Sequence, residues 1–180
     1  MVVKNYQMDF LNIDYLKTGN PIQIKAFEVL TKNNILFSIS EFSPILVGTI
    51  PINIDIENSD LDIICYWENK WDFIQKLQIN FGNESQFILR ETLIDQNETV
   101  IVNFICDGFE IEIFGQNIPA QEQNGYKHMI IEHKILKAKG EDFRLEIIKL
   151  KKSGYKTEPA FGKLLGLTEN PYQQLLDYTF

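Results

Sequence analysis

The sequence predicts an α+β fold: a mixed sheet of about five strands with helices packed on it, followed by a helical C-terminal part. Three observations carry this expectation. Short runs of β-forming residues alternate with segments of helical period. A helical stripe over 70–81 stands between the second and third strand segments, where a crossover would fit, while the last two strands are joined by a tight turn. From Ala120 to the end the hydrophobic period is helical throughout. The chain has 180 residues, which suits one domain spanning 1–180, with a core over about 20–115 and a helical part over about 119–180.

The elements follow in order. Phe10, Ile13 and Leu16 suggest a short first helix. Asn20 followed by Pro21 is an N-cap with proline at the first helical position, and Ile22, Ala26, Phe27 and Leu30 then recur at helical spacing over 21–33. Pro44 to Gly48 is a short apolar run that ends in a turn, and Leu61 to Tyr66 is a second strand. Trp71, Ile74, Leu77 and Phe81 form a stripe that ends at Gly82. Segments 87–92, 99–106 and 109–114 read as strands, the last two joined by Asp107-Gly108. Helical segments then run from Ala120 to about Lys137, and over 141–152, 158–165 and 171–177, punctuated by Gly140, Gly154, Gly166 and Asn170-Pro171. Thr157 reads as the N-cap of the third of these, with Pro159 in its first turn.

Composition narrows the functional classes. Apolar side chains make up 44% of the chain, enough for a sizeable core, which excludes a largely disordered protein. Apolar runs as short as Ile45-Leu46-Val47 exclude a membrane-spanning helix, so no membrane partner is expected. The opening residues MVVKNYQMDF hold no apolar segment or cleavage site, so no signal peptide is expected. Two cysteines, Cys65 and Cys106, make neither a disulfide framework nor a four-ligand zinc site, and a reducing cytoplasm is the expected setting. The net charge of −8 is unevenly spread: Lys127 to Lys163 carries +5 and the remainder −13. Broad, non-specific nucleic-acid binding is therefore not expected, while the basic segment can face a polyanion held by the acidic part. There is no Gly-x-Gly-x-x-Gly, no phosphate-binding P-loop and no Gly-x-Ser-x-Gly.

The segment richest in chemistry is Gly48 to Ile63. Asp60 and Asp62 stand two apart at the head of a strand, so they share one face, with Leu61, Ile63 and Cys65 on the other. Two ionised carboxylates about 7 Å apart repel by about 2.4 kcal/mol at an effective dielectric near 20, unless a cation lies between them. Hard oxygen ligands on a strand suit Mg²⁺ or Mn²⁺. A second pair, Glu110 and Glu112, alternates with Phe109, Ile111 and Ile113. An exposed sheet face produces the same alternation, so this pair alone is weaker evidence. His128 and Glu132 share a helix face. They are either ordinary surface residues or cleft residues in which His128 touches a phosphate or an acceptor. His133 faces elsewhere. Lys156 either belongs only to the helix start that Thr157 caps or reaches phosphates. Asp55 and Glu57 read as a solvated loop face, the alternative being that they support the carboxylates from behind.

Gly48-Thr49, ten intervening residues, then Asp60-Leu61-Asp62 and a later carboxylate between hydrophobics resemble the signature of the polymerase-beta-like nucleotidyltransferase superfamily. Ser59 matches common members, and Thr49 departs from the usual Gly or Ser. Across nearly its whole length the chain also resembles a bacterial family of unknown function within that superfamily, through GTIPINIDIENSDLDIIC, GFEIEIFGQNIPAQEQNGYKHMIIEHKIL and GYKTEPAFGKLLGLTENPY. The resemblance implies that Asp60, Asp62 and a third carboxylate, Glu112 or Glu110 with Glu112 preferred, hold two Mg²⁺ (or Mn²⁺) ions and act catalytically. Gly48, Thr49 and Ser59 would lie against a nucleoside triphosphate, with His128 and Lys156 as further substrate contacts. The expected activity is transfer of a nucleotidyl group from the triphosphate to an unknown acceptor. The competing expectation is a non-catalytic nucleotide-binding or regulatory module that keeps the fold.

Overall fold

The computed structural model describes residues 8–179. The opening segment in which no signal peptide is expected lies mostly outside them. A five-stranded mixed sheet has the order β1-β2-β5-β4-β3, built from β1 (Ile45–Val47), β2 (Leu61–Tyr66), β3 (Ser85–Ile94), β4 (Asn97–Cys106) and β5 (Phe109–Gln116). β2 and β5 are parallel and the other pairs antiparallel. Helix α1 (Pro21–Lys32) and the single turn α2 (Ile35–Ser38) precede the sheet, and α3 (Lys70–Phe81) carries the chain from β2 to the far edge. The chain then returns through two tight turns, which leaves β5 between β2 and β4. Helices α4 (Asn124–Lys139), α5 (Glu141–Lys152), α6 (Thr157–Leu165) and α7 (Pro171–Leu176) complete the described residues.

Local chemistry explains the boundaries. At α1 the Asn20 side chain accepts from the Gln23 backbone N–H at 2.8 Å, and Gln23 Oε1 accepts from the Asn20 N–H at 3.0 Å, a reciprocal cap. Asn69 caps α3 by accepting from the Trp71 N–H at 3.0 Å. The structure corrects several expectations. Trp71, placed on the buried stripe by spacing, is exposed, and Phe73 is buried in its place. Ile22 is likewise exposed, while Val29 joins Ala26 and Leu30 in the core. Around the first expected helix the chain makes only a 3₁₀ turn, Asp14–Thr18. The N-cap of α6 is Lys156, and Thr157 is already helical.

The strand period distributes two cores. On one face, Leu61, Ile63, Cys65, Val100, Val102, Phe104, Ile111 and Ile113 pack with α1 and α3. On the other, Ile45, Val47 and Ile64 pack with α4 to α7 through Met129, Ile135, Ile147, Phe161 and Leu175. Burying a side chain of this size contributes about 1.5–3 kcal/mol. The C-terminal helices therefore cover the β1–β2 end of the second face, and Asp62 stands on that face between Val47 and Glu112. Cys65 and Cys106 are buried free thiols. Among the described residues no helix is long and apolar enough to cross a membrane.

Candidate active site: carboxylates of the sheet beneath the C-terminal helices

The turn after β1 begins at Gly48, whose φ of +81° lies in the left-handed region. A Cβ there would overlap Asp62 Oδ2, so only glycine lets the backbone lie this close to the carboxylate. The loop then folds as successive turns. The Ile54 N–H donates to the Thr49 carbonyl at 3.1 Å, and the Ser59 N–H to the Ile56 carbonyl at 3.0 Å. Ser59 Oγ accepts from the Ile56 N–H at 2.9 Å and lies 3.4 Å from Thr49 Oγ1, which ties the two ends of the loop together. Helices on both sides grip this loop. Gln23 of α1 donates to the Ile50 carbonyl at 2.8 Å, Arg144 of α5 to the Asn53 carbonyl at 2.7 Å, and the buried Lys151 of α5 to the Ile54 carbonyl at 2.8 Å.

The loop delivers Asp60 and Asp62 to the sheet. Asp62 is the register partner of Glu112 on β5, and Glu112 in turn faces Asn103 on β4. Asn103 Nδ2 donates to Glu112 Oε2 and to Glu110 Oε1, at 3.2 Å each, while Asn103 Oδ1 accepts from Arg90 at 2.7 Å. The row Asp62, Glu112, Asn103 thus runs across three strands. Glu112 lines the cleft and Glu110 does not: it is exposed on the uncovered part of the same face.

The cleft between this face and the C-terminal helices has a volume of about 770 Å³. Gly48, Thr49, Ser59, Asp60, Asp62 and Glu112 line one side, and His128, Glu132, Lys151, Lys156 and Glu158 line the other. The sequence-derived candidates other than Glu110 are therefore brought together around one space. Two residues were missed as cleft residues. Lys151 sits in a Lys-rich stretch that reads as a solvated helix face, yet it is buried. Glu158 stands in a helix start with no distinguishing signal. His128 and Glu132 are buried rather than ordinary surface residues, whereas His133 packs on Phe10, with ring centroids 5.0 Å apart. Asp55 lies 3.4 Å from the Asn20 amide beside the loop and does not line the cleft.

Carboxylates crowd one wall of the cleft, and a buried ammonium, Lys151, stands on the other. Burial, then Asp60, then Glu112 push the Asp62 carboxyl up to about 8 from an ordinary 3.8. Burial pulls Lys151 down to about 8 from 10.5, against the attraction of Glu132, Asp55, Asp60 and Asp62. Three carboxylates without imidazole or thiolate suit a hard divalent ion such as Mg²⁺ or Mn²⁺. A cation bound among these carboxylates would oppose the upward shift of Asp62.

Residues 28–178 match the family described as a domain of unknown function, DUF4269. The chain belongs to this family. No curated protein matches it. Among solved structures it is similar to Cid1, an RNA terminal uridylyl transferase, with a TM-score of 0.56 and 8% identity over 87% of this chain and 48% of that one. A second structure, Cid1 poly(U) polymerase with Mg 3′-dATP bound, gives a TM-score of 0.54 and 11% identity over 87% and 48%. A cytoplasmic RNA terminal U-transferase gives 0.50 and 10% over 74% and 39%. At these identities the likeness is one of fold, the nucleotidyltransferase fold. The chain spans about half the length, or less, of these structures.

Proposed function

We propose that this DUF4269 protein is a Mg²⁺-dependent nucleotidyltransferase, moving a nucleotidyl group from a nucleoside triphosphate to an acceptor hydroxyl or phosphate. The observation that carries the reading is the pairing of Asp62, the second residue of β2, with Glu112 on the adjacent parallel strand, beneath a loop whose Gly48 is pressed against Asp62. Asp60, Asp62 and Glu112 would hold the ions, which when bound stabilise charge on the attacking and leaving oxygens. The backbone at Gly48-Thr49 and the hydroxyls of Thr49 and Ser59 orient the triphosphate. Glu112, held by Asn103, accepts the proton of the acceptor hydroxyl. The acceptor oxygen then bonds to the α-phosphorus as the bond to the bridging oxygen breaks, and pyrophosphate leaves with that electron pair. Lys156 and Lys151, on the far wall, offset the triphosphate's charge.

The test is transfer of label from α-³²P-labelled ribonucleoside triphosphates, with Mg²⁺ or Mn²⁺, to an acceptor library, in the wild type and in Asp62→Asn. Transfer and pyrophosphate release in the wild type alone are expected. If calorimetry finds neither Mg²⁺ nor Mn²⁺ bound by the wild type, the reading is wrong. If ATP stabilises the chain equally with and without Mg²⁺ and no transfer occurs, the non-catalytic nucleotide-binding module takes its place.

A further inference from the structure

The wall facing the aspartates carries a separate cluster. His128 and Glu132 stand one turn apart on α4, and Glu158 lies in the first turn of α6. One potential ligand atom from each lies within 4.8 Å of the other two, the one such trio among the described residues. Asp60, Asp62 and Glu112 are more widely spread. His128 is 8% exposed and Glu132 only 4%. His128 Nδ1 and Glu132 Oε1 are sealed from solvent and have no hydrogen-bond partner. A buried carboxylate oxygen and a buried imidazole nitrogen left unpaired are both costly, and the pair is worse with a second carboxylate beside it. Burial and then Glu158 push the Glu132 carboxyl well above the usual carboxylate range. Lys151 already draws the Glu132 value down, and one positive ion among the three would add a ligand partner within reach of each residue.

We propose that His128, Glu132 and Glu158 form a second cation site, specific for a divalent transition-metal ion of the Zn²⁺ type. Imidazole nitrogen in the donor set disfavours Mg²⁺, which takes oxygen ligands and keeps its waters. One nitrogen and two carboxylate oxygens make three protein ligands, the number that leaves a fourth position open to an exogenous group. That position opens on the cleft, since all three residues line it. The site stands independently of the transferase reading, because none of its ligands is shared with the aspartate set.

The experiment is calorimetric titration of Zn²⁺ into the chelator-stripped full chain, with excess Mg²⁺ to occupy the aspartates, and Co²⁺ absorption as a second readout of nitrogen ligation. Wild type and Asp62→Asn should each bind one equivalent with similar affinity. Glu132→Gln should weaken binding by about tenfold or more while its circular dichroism stays that of the wild type. Glu158→Gln, on a half-buried residue, gives the same readout if Glu132→Gln fails to fold. The proposal is overturned if the wild type shows no saturable Zn²⁺ binding under excess Mg²⁺. It is equally overturned if neither glutamine variant changes the affinity, or if Asp62→Asn alone abolishes binding, which would place the ion at the aspartates.

Discussion

Asp62 and Glu112 are register partners on neighbouring parallel strands, two carboxylates held side by side on the same face of the sheet. Strands of a sheet lie about 4.8 Å apart, so the pair is fixed by backbone hydrogen bonds and cannot relax apart. Such a pair destabilises the protein unless a cation is bound. In chelator, Asp62→Asn is therefore expected to raise Tm, at about 2–4 °C per kcal/mol for a chain of this size. With saturating Mn²⁺ the order should reverse, and transfer activity should fall by at least about a hundredfold. A variant less stable than the wild type in chelator would contradict this.

The two glutamates of β5 should separate cleanly. Glu112 lines the cleft and Glu110 does not, though both accept from Asn103. Glu112→Gln should weaken Mn²⁺ binding severely, whereas Glu110→Gln should leave it within about twofold, as befits an exposed side chain whose hydrogen bond is worth little. Equal losses in both variants would give Glu110 a part in the site.

Asn103 tests whether Glu112 must be held in place. Asn103→Ala removes the donor to Glu112 and frees Arg90 on β3. Support of this kind is typically worth about 10–100-fold in metal affinity or activity. A loss in that range with little change in Tm is expected, and unchanged Mn²⁺ affinity would show that strand register alone positions Glu112.

Two glycines with the same φ of +81° separate backbone strain from crowding. At Gly140 a Cβ would meet nothing within 4 Å, whereas at Gly48 it would meet Asp62. Gly140→Ala should cost only the backbone conformation, φ +81° with ψ −171°, a region open essentially to glycine and worth about 1–3 kcal/mol. Gly48→Ala should cost more and also disturb cation binding. Calorimetry and thermal melts of both variants decide it, and equal effects would mean that the contact with Asp62 is slack.

The pH dependence of the chelated protein follows from Asp62 and Lys151. With its folded value raised to about 8, Asp62 keeps a proton that the unfolded chain releases near 3.8. Its contribution is complete below the unfolded value and is lost as pH rises through about 8. Lys151 runs the other way: its folded value is lowered from 10.5 to about 8, so its penalty is complete below that value and is relieved as pH climbs towards 10.5. Stability should thus pass through a minimum near pH 8. Melts in chelator across this range, for the wild type and Asp62→Asn, should show the acid limb flattened in the variant. Parallel curves would rule Asp62 out as its source.

Much of the fold and half of the cleft were legible in the sequence. Alternation placed Leu61, Ile63 and Cys65 in the core opposite Asp60 and Asp62, and Asp107-Gly108 marked a real turn. The β3–β4 turn was not legible, because Asp95 and Gln96 both adopt positive φ without a glycine to announce it. Trp71 misled because spacing along a helix defines a stripe but not which neighbour will cover it. Beyond His128 and Lys156, the far wall of the cleft was hidden for a related reason. Lys151 and Glu158 have the composition of a solvated helix face, and their place in the cleft depends on how α5 and α6 pack over the sheet.

The strand order has a consequence for assembly. β3, β4 and β5 are sequential neighbours joined by two-residue turns, so their contacts are local and fast to form. β2 must wait for β5 across an intervening helix and hairpin, and that closure carries the larger loop entropy. Asp62 and Glu112 meet only at that step, so their mutual repulsion opposes the slowest pairing in the sheet. A cation captured there would draw the central strands together, and the refolding rate of the chain would then report cation binding.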